Sequence, residues 1–210
     1  MSIVGLDFDN TIVCYDKVVR AVAVERGLID PSFPKSKTVI RDHIRTRPDG
    51  ETAWRKLQAV IYGPEIERAE AYNGVHRFIA RCKEHGIKVL IISHKTQYAF
   101  ASSESIDLRE AARSWLRRNG FFSAPVSLSE EHDVHFEPTR LDKIRRIRGT
   151  GCTHFIDDLE EIFLEPSFPA GVKKILFAPF GRAGVGQDVV TASQWTRIED
   201  LVIGGDQAIS

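Results

Sequence analysis

Four short apolar runs, separated by longer amphipathic patterns, constrain the fold more than any other feature of the sequence. The runs lack the polar alternation of a half-exposed strand, so each is predicted to be a strand buried on both faces. Between them, apolar residues recur at the three- and four-residue spacing of helices. Strands that alternate with helices predict a doubly wound α/β fold with a mainly parallel sheet. The runs cover residues 3–8, 87–92, 152–156 and 172–177.

One segment interrupts this alternation directly after the first strand. Residues 15–72 show only helical patterns, so we predict a small α-helical cap there, inserted into a core made of residues 1–14 and 73–210. In open α/β folds, ligands bind outside the carboxyl ends of the strands, and an insertion at this point is expected to lie over that edge. The helical patterns run near residues 17–27, 35–45, 51–62 and 64–71, with proline and glycine between them.

Charge and cysteine usage exclude several classes of protein. The 210 residues include 29 basic and 29 acidic side chains, whereas proteins that bind nucleic acid or anionic membranes need a basic excess. Cys14, Cys82 and Cys152 are odd in number and far apart, which argues against a disulfide framework and against a zinc site. The N-terminal residues do not resemble a secretory signal. We therefore expect a cytoplasmic protein without nucleic-acid or membrane partners, and the oligomeric state stays open.

Two acidic pairs stand where strands are predicted to end. Asp7 and Asp9 follow the first strand, and Asp157 and Asp158 follow the third apolar run. The carboxyl ends of parallel strands share one edge of a sheet, so the two pairs can converge. Carboxylates held this close need a cation between them, and Mg²⁺ prefers oxygen ligands. Either pair alone could equally cap a helix, but both pairs together favour a metal site.

Two further polar residues are placed to join this edge. Ser93 ends the second apolar run, and Lys143 begins a helical segment one connection before Asp157. Taken alone, Ser93 is more typical of a turn and Lys143 of an exposed surface. The order along the chain, Asp-x-Asp, then Ser, then Lys, then Asp-Asp, makes a common site the better interpretation.

That order resembles the haloacid dehalogenase-like (HAD) hydrolase superfamily. Residues 7–11, DFDNT, match its D-x-D-x-T motif, and the strand that ends at Ser93 matches its second motif. Lys143 resembles the lysine of the third motif, with Lys95 as the alternative, and residues 157–158 resemble the acidic fourth motif. The dehalogenases of the superfamily have no use for a carboxylate at the position of Asp9, so the resemblance implies the phosphatase branch.

The resemblance implies a hydrolase that acts on a small phosphate monoester, such as a sugar phosphate or a nucleotide. Asp7 would attack the phosphorus and form an aspartyl-phosphate, which water then hydrolyses. Asp9 would act first as general acid and then as general base. Ser93, Lys143 and the backbone of the turn that includes Asn10 would bind the phosphate oxygens.

The resemblance also implies a Mg²⁺ ion as cofactor. Asp7, the backbone carbonyl of Asp9 and a carboxylate of the fourth motif would hold the ion. Asp158 is favoured as the direct ligand, with Asp157 positioning a metal-bound water. The ion would neutralise charge as the carboxylate approaches the phosphate.

Substrate contacts are predicted in two places. The inserted cap matches the position of the superfamily's C1 cap, which tends to restrict substrates to small molecules. Arg41 and Arg45 share one face of a predicted cap helix and could contact a second anionic group, although a solvated basic helix is the alternative. His94 and Lys95 begin a polar loop at the active-site edge and are the second candidates.

Two other functions were weighed against phosphate-monoester hydrolysis. One is a catalytically weak or regulatory protein that uses the same fold for binding, and the filled motifs argue against it. The other is a polynucleotide end-phosphatase, which the neutral charge and the predicted cap disfavour.

Overall fold

The computed structural model describes residues 2–34, 36–99, 106–181, 186 and 188–204. The chain divides into two compact units. The first comprises Met1–Ile12, Ala71–Lys95 and Asn119–Ser210, and the second comprises Val13–Glu70 and Thr96–Arg118. The strands are β1 (Ile3–Leu6), β2 (Val13–Cys14), β3 (Glu70–Ala71), β4 (Lys88–His94), β5 (Val134–Glu137), β6 (His154–Asp157), β7 (Lys173–Phe177) and β8 (Val189–Ala192).

A six-stranded sheet forms the centre of the first unit. Its strand order is β5-β4-β1-β6-β7-β8, and every neighbouring pair is parallel. The chain starts in the middle at β1, extends the sheet to one side through β4 and β5, and then extends it to the other side from β6 to β8. This arrangement confirms the predicted doubly wound α/β fold. It also makes β1 the point where the strand order reverses, which is where such folds bind ligands.

The strand β1 has a parallel neighbour on each side and is buried from Val4 to Leu6, which explains its unbroken apolar sequence. Leu6 is level with Ile91 of β4 on one side and with Ile156 of β6 on the other. A Cβ atom on Gly5 would lie 2.5 Å from the ring of Phe155, so only glycine allows this approach. The register places the residue that follows Leu6 beside the end of β6.

Within its described residues the first unit has four helices, and the sequence patterns predicted them unevenly. The sequence predicts that the helix α4 (Val75–Glu84) ends at Gly86 and that the helix α6 (Arg140–Gly149) spans Thr139 to Arg148. Thr139 caps α6, because its hydroxyl oxygen accepts a hydrogen bond of 3.1 Å from the backbone N–H of Asp142. The patterns did not predict β5, β8 or the last helix. The helices are α4 (Val75–Glu84), α6 (Arg140–Gly149), α7 (Glu160–Phe163) and α8 (Trp195–Val202).

The second unit is helical. Trp54, Leu57 and Ile61 are buried in it. The predicted cap covered residues 15–72, whereas this unit also contains Thr96–Arg118. One contact that joins this segment to the rest of the unit is a 2.9 Å hydrogen bond, which the indole N–H of Trp115 donates to the carbonyl of Ala69. Its helices are α1 (Asp16–Glu25), α2 (Lys37–Arg45), α3 (Gly50–Tyr62), a 3-10 helix (Pro64–Arg68) and α5 (Leu108–Arg118).

Two predicted loops fall partly outside the described residues. Of the polar loop predicted after residue 93, residues 100–105 lie outside, and His94 is the last residue of β4. The glycine-rich sequence of residues 181–186 also predicts a loop, and residues 182–185 lie outside. Within the described ranges, no helix combines the length and the apolar character needed to cross a membrane.

Candidate active site

The acidic residues predicted to converge meet at the carboxyl edge of the sheet. Carboxylate oxygens of Asp7, Asp157 and Asp158 all lie within 4.8 Å of one another. They meet because β1 and β6 are parallel neighbours. The pairing of the two strands continues one residue past β1, where the backbone N–H of Asp7 donates a 2.9 Å hydrogen bond to the carbonyl of Ile156. Asp7 and Asp157 are both buried. Three carboxylates at such spacing require positive charge nearby.

Lys143 supplies one positive charge. Its Nζ atom lies 2.5 Å from Oδ1 of Asp7 and 2.6 Å from Oδ2 of Asp157, and all three side chains are less than a tenth exposed. Burial by itself lowers the pKa of Lys143, but the charges of Asp157 and Asp7 outweigh burial and hold the pKa above its ordinary value. Lys143 is therefore charged and connects the end of β6 to the first residue after β1.

Lys95 supplies a second positive charge at a different carboxylate. Its Nζ atom lies 2.8 Å from Oδ2 and 3.1 Å from Oδ1 of Asp9, and its side chain is 3% exposed. The sequence reasoning proposed Lys95 as an alternative to Lys143 or as a substrate contact, and it missed the pairing with Asp9. The only sequence signal was a lysine two residues after Ser93, and such a signal does not tell which way a side chain points.

The donor atoms of the cluster suit a divalent cation. Lys143 contacts Asp7 and Asp157, and Asp158 lies within reach of both carboxylates. Burial raises the pKa of Asp157. The charge of Lys143 lowers this pKa, and the charge of Asp7 raises it. The ligands within reach of one another are all carboxylate oxygens, which are the donors that Mg²⁺ takes. The residues present therefore fit a Mg²⁺ ion held among Asp7, Asp157 and Asp158.

The other predicted site residues of the first unit lie on β4 and in the turn after β1. Ser93 is buried in β4. Asn10 has a backbone φ of 58°, a left-handed conformation that asparagine tolerates better than most residues. His94 is exposed, and its Nε2 atom lies 3.1 Å from the carbonyl oxygen of Pro138. Partial desolvation of its ring and the charge of Lys143 lower the pKa of His94.

Arg41 and Arg45, the predicted substrate contacts of the cap, lie on α2 in the second unit. The Nε atom of Arg41 is 2.8 Å from Oδ1 of Asp42, and the Nε atom of Arg45 is 2.8 Å from Oδ2 of Glu51. All four side chains are exposed by more than a third. These exposed ion pairs are what the alternative interpretation, a solvated basic helix, predicts. A role in substrate binding stays a prediction.

Comparison with known proteins gives matches among solved structures. No model of a known protein family matches the sequence, and neither does any protein of curated function. A HAD-family hydrolase from Deinococcus radiodurans R1, with bound phosphate and sodium, is 14% identical; the match covers 98% of this chain and 96% of that one, with a TM-score of 0.57. Protein Tyrosine Kinase A from Mycobacterium tuberculosis is 13% identical over 96% of this chain and 97% of that one, with a TM-score of 0.61.

A third match is the putative HAD-hydrolase YfnB from Bacillus subtilis, in a form bound to magnesium. It is 13% identical, the match covers 96% of this chain and 98% of that one, and the TM-score is 0.51. At such identities the likeness establishes the fold, not the activity. The protein therefore has the fold of the HAD-like hydrolases, and the resemblance predicted from the motifs is confirmed at the level of fold.

Proposed function

We propose that the protein is a hydrolase of the HAD kind, a Mg²⁺-dependent phosphatase that acts on a small phosphate monoester such as a sugar phosphate or a nucleotide. The observation that carries this proposal is the buried bridge from Asp7 through Lys143 to Asp157, with Asp158 within reach. A buried cluster of ionisable groups at a ligand-binding edge is typical of an active site. The helical second unit would serve as the C1-type cap, and the partner would be a phosphorylated metabolite in the cytoplasm.

The reaction would proceed in two displacements at phosphorus. In the first, a carboxylate oxygen of Asp7 forms a bond to phosphorus, the bond to the leaving oxygen breaks, and Asp9 gives that oxygen a proton. In the second, water attacks the phosphorus of the aspartyl-phosphate, Asp9 takes the water's proton, and Asp7 is released. Lys143 holds Asp7 in one orientation throughout, because its ammonium group is fixed between Asp7 and Asp157.

The phosphate oxygens would be bound by Ser93, Lys143 and the backbone N–H groups of the turn at Asn10. Asp7, the carbonyl of Asp9, and Asp158 would hold Mg²⁺, with Asp157 beside them. When bound, the ion would supply positive charge against the repulsion between a carboxylate and a phosphate dianion.

A phosphate-release screen tests the proposal. The purified protein is incubated with sugar phosphates, nucleotides, phospho-acids and p-nitrophenyl phosphate, with Mg²⁺ or with EDTA. We expect release that requires Mg²⁺ and that Asp7→Asn abolishes, because an amide is not a competent nucleophile. Asp200→Asn is the matched control, since Asp200 is an exposed residue of α8.

Three outcomes would count against the proposal. Full activity in Asp7→Asn or in EDTA would contradict the assigned chemistry. No release from any substrate of the panel would favour a regulatory binding protein with this fold.

A further inference from the structure

The chain buries a second lysine at the active site that phosphoryl transfer, as described above, does not use. Lys95 is 4% exposed, and a buried ammonium group must be paired because its desolvation is costly. Its partner is Asp9, at 2.8 Å and 3.1 Å from the two carboxylate oxygens. The contact with both oxygens restricts rotation of the carboxyl group of Asp9.

The surroundings of Lys95 fix its own position. Its backbone N–H donates a 2.8 Å hydrogen bond to the carbonyl of Glu137, so the ladder between β4 and β5 continues past the end of β4. Its Nζ atom lies 5.4 Å from the centre of the Phe8 ring, a cation–π contact. Phe8 is itself fully buried and stacks edge-on against Phe136 of β5. Lys95 is therefore held in place both at its backbone and at its ammonium group.

The two lysines contact different carboxylates. Lys143 contacts Asp7 and Asp157, whereas Lys95 contacts Asp9. Asp9 is the less enclosed carboxylate, with 21% of its side chain exposed, so its orientation depends on its contacts more than that of Asp7 does. A general acid must sit within hydrogen-bonding distance of the oxygen that it protonates, and a misdirected carboxylate loses that geometry.

We propose that Lys95 is a positioning residue that holds the carboxylate of Asp9 in the orientation needed for proton transfer to the leaving oxygen. This inference rests on the proposed function, in which Asp9 is the general acid. It predicts a selective defect: loss of Lys95 slows substrates whose leaving group needs a proton and spares substrates whose leaving group does not.

The test compares two substrates with different leaving groups. One is p-nitrophenyl phosphate, whose phenolate departs without a proton; the other is the alkyl phosphate turned over fastest in the phosphate-release screen. The measured quantity is kcat/KM, which reports on the step that forms the aspartyl-phosphate when that step is irreversible. General acid catalysis contributes roughly 10²–10⁴-fold, so we expect Lys95→Met to lower kcat/KM for the alkyl phosphate at least ~10-fold and for the aryl phosphate less than ~3-fold.

Two further variants separate positioning from folding and from phosphate binding. In an Asp9→Asn background, adding Lys95→Met should cost less than ~3-fold more, because two residues that act through one function are not additive. Lys88→Met is the matched control: Lys88 is the first residue of β4, the strand that Lys95 follows, and it is 45% exposed and 3.6 Å from Asp133, so its loss should leave both substrates unaffected. Circular dichroism of each variant verifies the fold.

Specific results would overturn the inference. Equal losses of kcat/KM for both substrates, with weaker inhibition by inorganic phosphate, would show that Lys95 binds the phosphate itself. An additive loss in the double variant would show that Lys95 does not act through Asp9. If the unaltered protein releases no phosphate from any substrate, the proposed function fails instead; if it is active and Lys95→Met is not selective, only this inference fails.

Discussion

Replacing Lys143 by methionine removes the charge that separates two buried carboxylates while keeping most of the side chain's volume. Asp7 and Asp157 then lose an ammonium group at 2.5 Å and 2.6 Å, respectively. Water cannot solvate either carboxylate in its place, because the two side chains are 7% and 0% exposed. Removing one partner of a buried ion pair costs about 3–5 kcal/mol. We expect the free energy of unfolding of Lys143→Met, measured without Mg²⁺, to fall by that amount.

Thermal unfolding followed by calorimetry in EDTA is the assay. A change of 1 kcal/mol shifts Tm by about 2–4 °C in chains of 150–250 residues, so the expected decrease is roughly 6–20 °C. Lys17→Met is the control, because Lys17 pairs with Glu70 at 2.7 Å but is 78% exposed, and such exposed pairs contribute about 0–1 kcal/mol. Mg²⁺ should raise the Tm of Lys143→Met more than that of the unaltered protein, since the cation replaces part of the lost charge.

The pH dependence gives a second check on the same variant. Burial already holds the pKa of Asp157 above its ordinary value of 3.8, and loss of the ammonium raises that pKa further. A carboxyl whose pKa is higher in the folded state loses stability as the pH rises through that pKa, so the deficit of Lys143→Met should shrink at acidic pH. A deficit no larger than that of Lys17→Met would refute the reasoning, because the two carboxylates would then not depend on Lys143.

Three smaller perturbations test other parts of the account. Thr139→Ala removes the cap of α6, where the hydroxyl accepts from Asp142, and should lower the free energy of unfolding by about 1 kcal/mol; Thr139→Ser should not, and equal losses in urea denaturation would contradict the capping role. Burial raises the pKa of Cys82 to about 12, so this thiol should resist Ellman's reagent until the protein unfolds, and rapid labelling of Cys82 in the folded protein would disprove its burial. Burial lowers the pKa of His135 from its ordinary 6.5, so the free energy of unfolding should decrease as the pH falls through about 6.5. His135→Gln should reduce that decrease, and an unchanged dependence of the free energy on pH would show that His135 does not cause it.

The sequence predicted the elements whose signals are local. The helices of the second unit were placed to within a few residues, because proline and glycine punctuate them and their apolar stripes are regular. The strands β5 and β8 were missed, since they are four residues long and lie at the edges of the sheet, where partly exposed sequences such as VHFE carry a weak pattern. That α5 packs within the second unit could not be predicted, because the contact joins segments far apart in the chain.

The candidate site, like the fold, could be predicted from the sequence only in part. The order of Asp7, Ser93, Lys143 and Asp157 along the chain was enough to place these residues at one edge, because parallel strands share that edge. The partner of each lysine was not predictable, since it depends on the direction of a long side chain in three dimensions. Lys95 and Lys143 are chemically identical, yet Lys95, which contacts the Phe8 ring and follows β4, pairs with Asp9.

The most direct test of the central claim is to look for phosphate on Asp7 during turnover. The protein is mixed with the best substrate of the screen and Mg²⁺, quenched in acid within the steady state, digested and analysed by mass spectrometry. We expect one phosphorylated peptide, containing Asp7, that is sensitive to hydroxylamine and absent both in Asp7→Asn and in EDTA. Rapid phosphate release with no label on that peptide, or with the label on another residue, would contradict it.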